Sequence, residues 1–331
     1  MVGFGLLGCG RIGRMHAASL VRHSDAKLVA VYDIVNEASA AVSSSLGVRQ
    51  ALSVDEILND NSVEAVLIAT STDTHVDLII AAARAGKAIL CEKPIDLDMA
   101  RVKRCWEEIA SLKPIVMIGF NRRFDPSISA LKRRAHEGEI GKIEQVIITS
   151  RDPAPPPIAY IKVSGGLFRD MAIHDFDLAR FLVGDIVEVS TFGHSVVDAA
   201  IGRAGDVDSA MTILRSASGA LVHINNSRRS AYGYDQRLEV FGKKGMLLVG
   251  NHRETSVEAW TGNQTQAADP TLNFFIERYA EAYAIEIAAF VACIGDRSAP
   301  QPSFQDGLEA LRIADAAAES LRTGKAVRLE H

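Results

Sequence analysis

At 331 residues the chain has room for two domains with separate cores, and an apolar share of 48% is ordinary for a soluble enzyme. A net charge of −5 excludes the basic footprint of a nucleic-acid binder, and the paired arginines at 122–123 and 228–229 are too short for a polybasic patch.

The first apolar run, Val2 to Leu7, reads as a buried parallel strand. Gly8-x-Gly10-x-x-Gly13 follows at once, and a helical pattern runs from about Arg11 to Val21. Gly8 permits a tight turn, Gly10 lets a pyrophosphate reach the backbone, and Gly13 lets helix and strand pack closely. The phosphates would meet the free N–H groups and positive dipole of the helix N-terminus. A second strand, Lys27 to Tyr32, ends at Asp33, 20 residues after Gly13. A carboxylate there accepts hydrogen bonds from both ribose hydroxyls of an adenosine and repels a 2′-phosphate, which favours NAD over NADP. Taken alone, it also fits a solvated aspartate at a strand end.

Strands and helices keep alternating. A strand from Val63 ends in Thr70, a helix from Asp73 to Ala85 closes at Gly86, and Ala88 to Cys91 is a further strand. A helix from Met99 to Ser111 and a strand from Ile115 to Ile118 complete the series. Such alternation means a parallel sheet with helices on both faces, which binds ligands at the carboxyl ends of its strands. Gly8, Asp33, Thr70 and Glu92-Lys93 all fall at those ends.

After Gly119 the texture changes. Strands are expected at 143–150, 187–197, 207–215 and 220–227, joined by turns, and Gly242-Lys243-Lys244-Gly245 marks a hairpin. The fold class is therefore an α/β Rossmann domain followed by an α+β domain with a large, mostly antiparallel open sheet. One face of that sheet needs a helix or a partner subunit to cover it. The boundaries expected are 1–119 for the NAD-binding domain and 120–328 for the second, α+β domain, to which the family resemblance described below assigns substrate binding and oligomerisation. Helices at 273–294 and 304–322 pack back on the first domain in this reading. Leu329-Glu330-His331 resembles a tag remnant.

The four cysteines are scattered, form no CxxC pair and lie in no His/Cys group with metal spacing, so free thiols and no metal are expected. No apolar stretch approaches the roughly 18 residues of a membrane span. A strand starting at residue 2 leaves no room for a signal peptide, which points to the cytoplasm.

Two segments carry chemistry. Lys93, stiffened by Pro94 at the end of a core strand, can hold a substrate oxygen as negative charge develops on it. A surface lysine in a βα loop would look the same. The stretch Leu167 to Val183 reads as one helix, which puts Asp170 and His174, spaced i and i+4, on one face. A partly buried imidazole beside a carboxylate can act as a base near neutral pH. A helix salt bridge is the plainer alternative.

Gly8-Cys9-Gly10-Arg11-Ile12-Gly13 with His16, then Cys91-Glu92-Lys93-Pro94, then Asp170-x-x-x-His174 resembles the Gfo/Idh/MocA oxidoreductase family, in order and over nearly the whole chain. The stretches at 120–125, 150–153 and 232–235 resemble its inositol 2-dehydrogenase branch. The resemblance implies Lys93, Asp170 and His174 as the catalytic group. It implies cofactor contacts at Gly8, Gly10, Arg11, Ile12, Gly13, Asp33, Thr70, Ser71, His75, Glu92 and Lys93. The family's Thr-Pro-Asn-like turn is here Thr70-Ser71-Thr72, with His75 retained. Arg122, Asp152 and Tyr234 match positions that contact polyol, beside Lys93, Asp170 and His174. The implied activity is NAD-dependent oxidation of myo-inositol to 2-keto-myo-inositol by a homotetramer. Another inositol isomer or a pyranose would use the same group, and a non-catalytic NAD-binding regulator is the alternative of another class.

Overall fold

A computed structural model describes residues 1–330, in two compact units. The first holds Met1–Phe124 and Glu281–Leu311; the second holds Asp125–Ala280 and the chain from Arg312 onward.

In the first unit β1 (Val2–Leu7), α1 (Arg11–Arg22), β2 (Ala26–Tyr32), α2 (Asn36–Leu46), β3 (Arg49–Gln50), α3 (Val54–Leu58), β4 (Ala65–Ile68), α4 (His75–Arg84), β5 (Ala88–Cys91), α5 (Met99–Ile109) and β6 (Val116–Ile118) follow in turn. The strands lie in the order β3-β2-β1-β4-β5-β6, all parallel. Every residue of β4, β5 and β6 is buried, as a sheet covered on both faces requires. Chain direction across the sheet reverses between β1 and β4, which makes their carboxyl ends the ligand-binding crevice. The helix expected from Asp73 opens instead as a 3₁₀ turn, Thr72–Thr74. Thr74 donates both its N–H and its hydroxyl to the Ser71 carbonyl, at 3.0 and 2.8 Å, which tightens that turn.

The second unit starts with α6 (Pro126–His136), capped by Asp125, whose carboxylate accepts from the N–H groups of Ser127 and Ile128 at 3.0 Å. Then come β7 (Ile143–Arg151), α7 (Ile158–Ser164), α8 (Ile173–Val183), β8 (Ile186–His194), α9 (Ala199–Arg203), β9 (Ser209–Ser216), β10 (Leu221–Ser227), β11 (Asp235–Gly242) and β12 (Gly245–Val249). A small ribbon pairs β13 (Glu258–Ala259) with β14 (Ala267–Ala268), and α10 (Phe275–Arg278) follows. Next in the chain, α11 (Ala280–Asp296) and the first part of α12 (Phe304–Thr323) belong to the first unit, and the rest of α12 and the last strand, β15 (Val327–Arg328), to the second. The main sheet runs β12-β11-β7-β10-β9-β8-β15. It is antiparallel except for the pair β7–β10.

Alternation along β9, β10 and β11 sends one set of side chains inward. Val222 and Ile224 meet Leu167, Phe176 and Leu182 in a core that α6 completes with Ile128 and Leu131. Each such side chain, fully buried, contributes about 1.5–3 kcal/mol. The opposite face leaves Phe192, Met211, Ile213, Met246 and Leu248 exposed. The strand expected at 187–197 stops at His194 because the N–H groups of Val196, Val197 and Asp198 turn to the buried Asp208 carboxylate, each at 2.9 Å. The expected tag remnant includes His331, which lies outside the described residues; Leu329 packs against the second core and donates its N–H to Val187 at 3.0 Å.

Candidate active site

The crevice of the first unit is built from backbone. Gly8 has φ +98°, and a Cβ there would come within 2.4 Å of the Ala69 carbonyl oxygen. A Cβ on Gly13 would meet the Gly8 oxygen at 1.9 Å, so α1 and β1 approach as closely as glycine allows. A Cβ on Gly10 would face open space. Helix α1 starts at Gly10 with no side-chain cap and no acid in its first turn, which leaves its dipole for an external anion. Arg11 and Ile12 occupy that turn. Asp33 follows β2, and its carboxylate accepts from the Cys9 N–H at 2.6 Å and the Val35 N–H at 2.8 Å. Burial first, then the Asp33 charge, push the Cys9 thiol up to about 11, so it stays protonated. These features fit a dinucleotide: room at Gly10 for phosphate, a receptive helix end, and a fixed carboxylate beside it.

The next two strand ends are tied to each other. His75 is buried, with Nδ1 2.8 Å from the Pro94 carbonyl and Nε2 3.2 Å from that of Thr70. Burial lowers its pKa against the pull of those carbonyls, which favours the neutral ring. Thr70 itself shares a 2.7 Å hydroxyl contact with Thr74, next to Ser71. Glu92 leaves β5 with Oε1 2.8 Å from His16 Nε2, and its Oε2 accepts the Lys93 N–H at 3.3 Å. Lys93 is partly exposed, and its peptide bond to Pro94 is cis. The His16 ring stands edge-on to Tyr283, with centroids 5.4 Å apart. One helical turn on, Glu286 is wholly buried, and neither of its oxygens has a hydrogen-bond partner among the described residues. Burial, then the charge of Glu92, raise its pKa well above the ordinary carboxylate range. Arg122 also belongs to this unit, buried in the 3₁₀ turn Asn121–Phe124.

In the second unit the continuous helix expected from Leu167 is interrupted. A π turn spans Leu167–Met171, closed by the Ala172 N–H on the Leu167 carbonyl at 2.9 Å, and α8 starts at Ile173. Leu167 gives its own N–H to the Asp206 carboxylate at 3.0 Å, which holds the start of the turn. Asp170 thus sits in the π turn and His174 in the α-helix, so simple i, i+4 geometry does not describe them. The Asp170 carboxylate accepts from Tyr160 Oη at 2.9 Å and from both terminal nitrogens of Arg228 at 3.2 Å. Asp152 follows β7 and lies 3.8 Å from the same guanidinium. Tyr234 is buried, its ring edge-on to Tyr279 at 6.1 Å. Arg228 and Glu286 had no role in the sequence reading. The only hint of Arg228 was its place at the end of a strand, and Glu286 sits within an apolar helix. Among the described residues no group of His, Cys, Asp and Glu has metal-holding geometry, and no helix is long and apolar enough to cross a membrane.

Residues 2–120 match the model of an oxidoreductase family with an NAD-binding Rossmann fold, and residues 128–248 match the GFO/IDH/MocA C-terminal domain. The chain belongs to the Gfo/Idh/MocA oxidoreductase family. It is 50% identical to an inositol 2-dehydrogenase of Rhizobium meliloti, over 97% of each chain. A crystal structure of a myo-inositol dehydrogenase from Corynebacterium glutamicum superposes with a TM-score of 0.97 at 45% identity, covering 100% of this chain and 99% of that one. A scyllo-inositol dehydrogenase from Lactobacillus casei, solved with NAD(H) and scyllo-inositol, gives a TM-score of 0.92 at 29% identity over 99% of each chain.

Proposed function

We propose that this chain oxidises myo-inositol to 2-keto-myo-inositol with NAD⁺. The observation that carries the reading is likeness over 97% of the chain to an enzyme named inositol 2-dehydrogenase. The crevice in the first unit supports the cofactor half of it.

Bound NAD⁺ supplies the hydride acceptor. Gly8, Gly10, Arg11, Ile12 and Gly13 would hold its diphosphate through backbone N–H groups, and Asp33 would take the ribose hydroxyls. Thr70, Ser71 and Glu92 would border the same cofactor, and His75 would act on it by fixing the Thr70 and Pro94 loops. His174 removes the hydroxyl proton of the substrate as the C–H bond gives up its hydride. Asp170 orients His174 and stabilises the imidazolium that forms. Lys93 holds the same oxygen while it carries negative charge. A cyclohexane polyol offers hydroxyls and C–H edges only, so Arg122, Asp152 and Tyr234 read its stereochemistry by hydrogen bonds. In this reading 1–119 is the cofactor domain and 120–328 the substrate domain. The enzyme acts in the cytoplasm as a homotetramer assembled through the apolar outer face of the second sheet.

A second reading, oxidation of another inositol isomer, is favoured by the scyllo-inositol-bound relative. Purified protein, NAD⁺ or NADP⁺, and a panel of myo-, scyllo- and chiro-inositol, glucose and xylose test both, with NADH absorbance as the readout. A rate confined to scyllo-inositol would replace the first reading with the second, and no rate on any polyol would sink both. Replacing His174 by Ala is expected to cut turnover by about 10²–10⁴-fold while NAD⁺ affinity stays unchanged. Size-exclusion chromatography with light scattering reads the oligomer.

A further inference from the structure

Arg228 has no part in the steps above, yet it is the largest fully buried side chain of the second unit, with 1% of its side chain exposed. Its position follows from the sheet. β10 runs parallel to β7 with Ser227 paired to Arg151, so Arg228 and Asp152 leave the sheet side by side. The Asp152 N–H donates to the Ser227 carbonyl at 2.9 Å, and the Arg228 N–H donates to the Asp208 carbonyl at 2.8 Å. The backbone beneath the guanidinium is therefore fixed. Asp170 reaches the same point from the π turn. Both terminal nitrogens of Arg228 lie 3.2 Å from Asp170 Oδ2, and one of them lies 3.8 Å from Asp152 Oδ2. Arg228 Nε has no partner among the described residues, so those two nitrogens carry the whole attachment.

We propose that Arg228 is a positioning residue that holds Asp170 in register for His174 and links it to Asp152, one of the three residues that read the substrate in this reading. This rests on His174 being the proton acceptor. Both terminal nitrogens converge on one carboxylate oxygen, so the charge-assisted contact fixes where Asp170 Oδ2 sits. The other oxygen, Oδ1, accepts from Tyr160 Oη at 2.9 Å. A lysine would supply charge as a single point without the planar fork. Two carboxylates from separate elements would repel each other without the shared cation, and Asp170 would swing away from its working orientation.

The test compares Arg228→Lys, Arg228→Gln, Asp170→Asn and the double variant Arg228→Gln/Asp170→Asn. Arg228→Gln is expected to lower kcat about 100-fold with the KM for NAD⁺ within about twofold of the parent, and Arg228→Lys to recover part of that loss. The double variant should be no slower than the slower single variant, because both changes break one coupled unit. Effects that multiply, or an unchanged kcat in Arg228→Gln, would overturn the proposal. The ¹⁵N spectrum of the His174 ring, recorded without substrate, keeps the test independent of the reaction. Arg228→Lys should shift it in the same direction as Asp170→Asn, and an unmoved His174 signal in a folded Arg228→Lys protein would overturn the proposal as well. Failure of every polyol assay with those spectral shifts present would refute the functional reading and leave the Arg228 attachment standing.

Discussion

Two carboxyl groups, one in each unit, are equally hidden from water and meet opposite fates. Glu286 on α11 and Asp235 at the start of β11 both have 0% exposure. Glu286 has no partner for either oxygen among the described residues. Asp235 accepts from Arg237 at 2.7 Å, Tyr232 Oη at 2.6 Å and Asn251 at 2.7 Å. Burial pushes both acids up, but in Asp235 the hydrogen bonds outweigh burial and leave its pKa below the ordinary value. Lack of exposed surface alone therefore does not set charge; the depth of burial and the donors within reach do.

The sharpest way to break the contrast is Asp235→Asn. It leaves Arg237, Arg151 and Tyr232 arranged around an amide, and the expected loss is about 3 kcal/mol, read from urea unfolding. Its dependence on pH follows. Asp235 ionises more readily folded than unfolded, so its contribution is present above the ordinary value of 3.8 and is lost as pH falls. The acid limb of the stability curve should be shallower in the asparagine variant.

Glu286 works in the other direction. Folded, it keeps its proton above the ordinary value of 4.5, while the unfolded chain has given its own up. Stability linked to this group therefore falls as pH rises from there towards the folded value. Glu286→Gln, which carries no proton to lose, should flatten the alkaline limb, and a limb as steep as the parent's would show that Glu286 is already charged in the folded protein. The smallest effect belongs to Tyr232→Phe. It removes one donor to Asp235 and keeps the other two, for an expected cost of about 1 kcal/mol in thermal or urea melts.

What could be read from the chain follows the same divide. The strand-end residues Gly8, Asp33, Thr70 and Glu92-Lys93 were legible because each closes a short apolar run in a regular alternation of strand and helix, although Asp33 and Glu92 take partners 24 and 76 positions away. Gly13 is the clearest case: its lack of a side chain is demanded by Gly8, five residues back. The π turn was not legible, since an apolar pattern does not distinguish one extra residue in a turn from a regular helix. The helix expected from Asn273 also divides at Tyr279, where Arg278 turns to the buried Asp125 at 2.5 Å and lies over the Tyr279 ring. That partner is 153 positions away. In the sequence Arg228 is only one half of an arginine pair, because its two acids arrive from β7 and from the π turn. Such attachments appear only once the sheet has set which residues stand side by side.

The parallel pair at the centre of the second sheet also bears on how the protein is made. β7 pairs only with β10 and β11, and both are encoded after it. Gln145 meets Leu221, 76 positions downstream (221 − 145). At about 5–20 residues per second, a nascent chain spends roughly 4–15 s with both edges of β7 bare. The centre of this sheet is therefore a segment that a growing polypeptide has to keep from pairing with strangers until its own neighbours have been translated.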